Sequence, residues 1–209
     1  MSKFRSHVVA LIGPALLAGV GVAAIGLAVP AMAQRQIGSQ FLEAVRDRDG
    51  TKVEELLTAT ATIIDTRSAD SGETALHIVT ARRDLIWIRF LLGRGADANI
   101  VDRAGQTPLI LAAQLGFVDG IRALTAGGAR VNFANGRGET PLHFAVQRRD
   151  VNTVRALIDA GADPDRQDSV SGMSPRDYAQ RDSRAGAIIA VLDARATTRR
   201  PVPGIAGPN

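Results

Sequence analysis

Three short stretches, GETALH at 72–77, GQTPLI at 105–110 and GETPLH at 138–143, stand in register along the chain. Their threonines, Thr74, Thr107 and Thr140, are 33 residues apart. A second marker keeps the same step, with GADAN from Gly95, GARVN from Gly128 and GADPD from Gly161. Ser174, in GMSPRDYA, follows 34 residues after Thr140, a one-residue insertion. Two independent markers that hold phase over three copies mean repeating supersecondary units, which constrains the fold more than any single residue does.

Within each unit the apolar spacing predicts two helices. In the third copy Thr140 is placed to cap the first helix, and Pro141 suits its first position, where no N–H partner is needed. Leu142, Ala145 and Val146 then share one face of that helix. Val151, Val154, Leu157 and Ile158 form the stripe of the second helix at three- and four-residue steps. Gly161 stands where that helix ends, in a position that favours left-handed backbone. The first copy repeats the scheme with Leu76, Ile78, Val79, Ile88, Leu91, Leu92 and Gly95. The second does so with Leu109, Ala112, Ala113, Ile121, Leu124 and Gly128, and Pro108 opens its first helix. A helix pair of this kind cannot bury its apolar side alone, so stacking creates the core.

The unit resembles the ankyrin repeat, whose T-P-L-H-x-A signature opens the first of two antiparallel helices. Residues 70–168 match it closely and the flanks more loosely. The resemblance implies an all-α ankyrin repeat solenoid of about five helix-turn-helix repeats with short hairpin loops, spanning 39–195. The expected divisions are 39–68, 69–101, 102–134, 135–168 and 169–195. The first is an N-terminal cap, in which Phe41, Leu42, Ala44, Val45, Val53, Leu56 and Leu57 form a pair without the signature. The stretch 58–70 lacks the Gly-Ala-Asp turn and predicts an irregular join. The last repeat, with Tyr178, Ala179, Ile188, Ile189, Val191 and Leu192, is a degraded C-terminal cap. Residues 196–209 carry prolines and glycines without an apolar period and read as a disordered tail.

The first 33 residues read as a signal peptide. Lys3 and Arg5 precede an uncharged apolar run over 8–29, and Ala31-Met32-Ala33 supplies a small-x-small cleavage pattern before Gln34. Residues 34–38 then read as a short linker. An uncleaved inner-membrane anchor is the alternative, since the run is long enough to span a bilayer. Both readings place the repeats in the periplasm. The chain has no cysteine, which excludes disulfides, thiolate metal sites and a cysteine nucleophile. Its net charge of +4 comes from scattered arginines rather than a basic block, so no nucleic-acid footprint is expected.

No catalytic, metal or cofactor site is expected. The resemblance implies that His77 and His143 bridge the threonine of their own signature to the backbone of the next repeat. Ile110 replaces the histidine in the middle copy. Asp97, Asp163 and Asp165 lie on loops where aspartate satisfies turn backbone. There remains the concave face that ankyrin proteins use for binding. The alignment assigns to it Arg82, Arg103, Gln114, Leu115, Arg137, Gln147, Arg148 and Arg181, with Arg82, Leu115 and Arg148 as its centre. Arginine suits such a role because its planar fork pairs with carboxylates. The expected function is a monomeric, non-catalytic scaffold or adaptor that binds another protein; an inhibitor or immunity-type protein blocking an exported enzyme is the alternative.

Overall fold

The computed structural model describes residues 31–198, with the side chains of 35–194. The signal segment before Ala31 and the tail beyond Thr198 lie outside the described residues. Five helix pairs follow one another: α1 (Ala31–Asp47) with α2 (Gly50–Ala59), α3 (Ala75–Ala81) with α4 (Leu85–Gly93), α5 (Pro108–Leu115) with α6 (Val118–Ala126), α7 (Pro141–Gln147) with α8 (Val151–Asp159), and α9 (Pro175–Arg181) with α10 (Gly186–Thr198). No strand occurs among the described residues. The first helices stack as an inner row, α1 on α3, α3 on α5, α5 on α7 and α7 on α9. The second helices stack as an outer row, α4 on α6, α6 on α8 and α8 on α10.

The interior lies between these rows and repeats with them. Leu76, Leu109 and Leu142 form one buried column, and Ile88, Ile121, Val154 and Ile188 form another. Val79, Ala112, Ala145 and Ala179 are all completely buried, and their small side chains let the two rows approach. Each fully buried leucine or isoleucine contributes roughly 1.5–3 kcal/mol, but only because a neighbouring pair covers it.

Two differences from the sequence reading appear at the ends. Residues 34–38 belong to α1 rather than to a linker, and α10 runs on through residues 196–198. The irregular join is a short 3-10 helix, Ala61–Asp65, whose Ile63 and Ile64 are buried. It places apolar side chains where the later repeats use their Gly-Ala turn.

The second marker of the repeat is a device for registering one unit against the next. The Asn99 side chain donates to the Gly128 carbonyl at 3.1 Å and accepts from the Arg130 amide at 2.7 Å. Asn132 does the same with Gly161 and Asp163, at 3.1 and 2.8 Å. Gly95, Gly128 and Gly161 take left-handed φ values of 88, 90 and 99°. This lets the following amide close back on the helix, as Ala96 does on Leu91 at 3.0 Å.

Where the first helices turn into the second, Arg48, Arg83 and Arg149 occupy left-handed backbone with φ near 60°, whereas Gly116 holds the matching place in the middle repeat. A non-glycine residue there costs about 1–2 kcal/mol. Each arginine recovers part of this by reaching the following repeat. Arg48 pairs with Asp84 at 3.0 Å, Arg83 donates to the Gly116 carbonyl at 3.1 Å, and Arg149 pairs with Asp182. Surface contacts of this type are worth about 0–1 kcal/mol. Arg149→Gly relieves the strain while losing the pair, and Arg149→Ala loses the pair while keeping the strain. Urea unfolding is therefore expected to find the glycine variant more stable than the alanine variant by about 1 kcal/mol. Equal stabilities would contradict this account of the turn.

Candidate protein-binding face

The signature residues are structural, as their geometry shows. The Thr74 amide and hydroxyl lie 3.2 and 2.9 Å from Nδ1 of His77, and its Nε2 lies 3.0 Å from the Gln106 carbonyl of the next repeat. Thr140 and His143 repeat this, with Nε2 3.2 Å from the Met173 carbonyl. A carbonyl only accepts, so the proton sits on Nε2, and Nδ1 is the acceptor. The middle repeat lacks the relay: the Thr107 hydroxyl accepts from the Ile110 amide at 3.3 Å, and Pro108 opens α5 as Pro141 opens α7. Both histidines are buried, leaving no ring nitrogen for acid–base work or a ligand.

Burial lowers the pKa of both imidazoles, against the raising influence of the carbonyls they donate to. The unfolded chain, with histidines near 6.5, takes up protons that the folded chain resists. Stability is thus fully present above about pH 6.5 and falls as the pH drops toward the lowered folded values. His143→Leu leaves buried backbone groups unpaired, at a cost of about 1–3 kcal/mol. Urea unfolding between pH 7.5 and 5.5 is expected to show falling stability in the parent. The double variant His77→Leu/His143→Leu is expected to be less stable with a flatter profile. A parent indifferent to pH over this range would contradict the relay.

Asp168, not singled out by the sequence, is the one nearly buried carboxylate among the described aspartates. Burial alone would raise its pKa. It accepts from the Ser171 hydroxyl and amide at 2.7 and 2.6 Å, from the Tyr178 hydroxyl at 2.9 Å and from the Val170 amide at 2.8 Å. These bonds prevail and hold it well below the usual carboxylate range. Its acceptor capacity is spent on folding its own loop tip. Asp97 and Asp163 likewise accept from the amides of Asn99 and Asp165 in their own turns. No group of three or more residues suited to a metal ion occurs among the described residues, and no described helix is long and apolar enough to cross a membrane.

The open side of the inner row carries a stripe at i, i+3 and i+4 of each first helix. In α5 it is Leu111, Gln114 and Leu115; in α7 it is Phe144 and Gln147, with Arg148 at the C-cap. Ile78, Leu111, Phe144 and Tyr178 recur at steps of 33, 33 and 34 residues, and all four stay partly exposed. Ile78, Phe144 and Tyr178 also pack against the core, so the interior expected for Ile78 and Tyr178 holds for one side of each, and Leu111 and Phe144 join them in a row that the sequence pattern does not single out. Only the two-row packing separates apolar residues that face the outer helices from those that do not.

The arginines assigned to the face divide into two groups. Arg82 donates through Nη1 to the carbonyls of Val45 and Arg46, at 2.6 and 3.1 Å, and lies 3.3 Å from Asp84. Burial lowers its pKa, against the raising effect of Asp84. It ties the cap to the first full repeat, so a free guanidinium at the centre of the contact is not what the structure provides. Arg103 is tied to the preceding tip, donating to the carbonyls of Asp70, at 2.6 Å, and Ala69. Arg137 stays exposed at its tip, 3.7 Å from Glu139. Arg148 and Arg181 are also exposed. Gln147, Tyr178 and Arg181 meet in a cleft of about 410 Å³ between α7 and α9. Leu115 packs its inner side on the core and remains partly open beside Phe144's row.

The family model for ankyrin repeats in three copies matches residues 41–135 and again 83–168, together more than half of the chain. Two putative ankyrin repeat proteins of fowlpox virus are similar to it. One is 41% identical over 64 residues, 31% of this chain and 15% of the viral protein. The other is 31% identical over 88 residues, 37% of this chain and 26% of the viral protein. Oxysterol-binding protein homolog 1 of Saccharomyces cerevisiae is 32% identical over 84 residues, covering 38% of this chain and 7% of the yeast protein. The chain thus spans about a quarter or less of these relatives. The matching helix pairs, the threonine–histidine relay and the family match lead to one conclusion: the chain belongs to the ankyrin repeat family.

Proposed function

We propose that the protein is a non-catalytic scaffold, exported to the periplasm, that holds a partner protein against the open side of its inner helices. The observation that supports this reading is the column Ile78, Leu111, Phe144 and Tyr178. Four apolar side chains in line, partly exposed on a rigid row, form a strip that water leaves at a gain of about 25 cal/mol per Å². Arg148 and Arg181 stand exposed along one side of it, and Arg137 stands at a loop tip. The partner that fits is a segment with apolar anchors and acidic neighbours, because carboxylates pair with the guanidinium fork at the rim while apolar groups fill the centre. Export rests on the leader pattern over residues 1–33, and the periplasm is where such a leader delivers a chain.

A photo-crosslinking residue placed at Leu111 or Phe144 in the producing cell identifies the partner, with Arg122 on the outer row as the comparison site. Crosslinking is expected from the inner positions alone. With the identified partner, Phe144→Ala and Leu111→Ala are each expected to weaken binding by about tenfold or more, as buried centre residues do. Equal crosslinking from Arg122, or unchanged affinity in both variants, would contradict the proposed face. The leader is read separately: periplasmic fractionation and an N-terminus at Gln34 are the expected results, and a cytoplasmic protein with its first residues intact contradicts export.

A further inference from the structure

At the N-terminal end of the stack, α1 and the first two loop tips enclose a cleft of about 730 Å³. Arg35, Arg46, Arg67 and Arg103 line it together with Ser39, Thr66 and Ser68, and Asp70 is the single carboxylate. Four guanidinium groups against one acid leave a strong excess of positive charge in a small volume. Two of the four are locked without being neutralised. Arg67 donates to the Gly72 carbonyl at 3.2 Å, and Arg103 to the carbonyls of Asp70 and Ala69. A carbonyl fixes a guanidinium but carries no net charge, so the positive potential survives. Arg35 and Arg46 are exposed, and neither forms an ion pair among the described residues. The wall itself is held close: a Cβ on Gly38 would lie 2.7 Å from the side chain of Thr66, the residue that ends the 3-10 helix, so glycine lets α1 approach it this tightly.

We infer that this cleft binds phosphate groups, with Arg35, Arg46, Arg67 and Arg103 supplying charge and Thr66 and Ser68 supplying hydroxyl donors. A ligand must bring about three negative charges into the space of a few atoms to balance the site. A side-chain carboxylate brings one, whereas a pyrophosphate or a phosphate ester brings two or more and has oxygens enough for bidentate bonds from Arg35 and Arg46. The site goes beyond the partner-binding strip, and its test needs no partner protein.

Calorimetric titration of the full chain with pyrophosphate at low ionic strength is expected to show one saturable site. Arg35→Gln/Arg46→Gln, neither of which ties the fold, is expected to weaken it by about tenfold or more without changing the melting temperature. Arg122→Ala, on the outer row, is expected to leave it unchanged. Co-flotation with phosphatidylglycerol vesicles, against phosphatidylcholine vesicles, reads the source of the phosphate. Flotation that depends on Arg35 and Arg46 assigns it to a lipid headgroup, and pyrophosphate binding without flotation assigns it to a soluble ligand; both support the site. Binding of neither probe, equal binding by the double variant, or capture of a glutamate-rich peptide without any phosphate binding overturns the inference.

Discussion

No helix pair in this protein can close its own interior. The columns Leu76–Leu109–Leu142 and Ile88–Ile121–Val154–Ile188 are dry only because each member lies under its neighbours in adjacent repeats. Many polar bonds of the structure serve that sharing, since they run from one unit to the next rather than within it. His77 reaches Gln106, His143 reaches Met173, and Asn99 and Asn132 close on the following turn. They fix the spacing at which one apolar layer meets another. Without a cysteine, no covalent link substitutes for this packing.

Much of this was legible in the sequence, because every device recurs at the same step. The capping threonine, the Gly-Ala turn and the apolar stripes appear three times in phase, and a pattern seen three times separates structure from accident. The capped ends were legible for the opposite reason, since Phe41 to Leu57 keep the apolar period and lose the signature. Periodicity does not tell which of two apolar sides of a short helix meets the outer row. Ile78 and Tyr178 pack against the core as the apolar period implies, and like Leu111 and Phe144 they also stay partly exposed, which the period does not show.

Arginine misleads for a related reason. Its charge suggests an exposed side chain, yet its length lets it cross a whole repeat. Arg82 reaches carbonyls of the preceding unit, and Arg83 reaches one of the following unit. Residue type alone does not separate Arg82, which is half-buried, from Arg148 or Arg181, which stay exposed. What decides is whether a carbonyl or carboxylate of the next unit lies within reach, and only the stacked arrangement reveals that. Residues 34–38 were hidden in the same way. Their glycine and polar side chains look like a linker, but they lie in α1, where Ile37 packs against the core and Gly38 lies close to Thr66.

The arrangement that holds the stack together also makes it useful for binding. Bonds that cross between repeats keep the inner row rigid, so the side chains it leaves open hold fixed spacing and need little ordering when something is bound. Leu109, at the middle of the stack and nearly fully buried, gives the most direct test of the shared interior. Leu109→Ala removes about 2–5 kcal/mol of packing, and amide hydrogen exchange reads where that loss is felt. If the interior is shared, protection falls in α3 and α7 together with α5. Protection lost in α5 alone, with α3 and α7 unchanged, would show units that stand independently and would contradict the account.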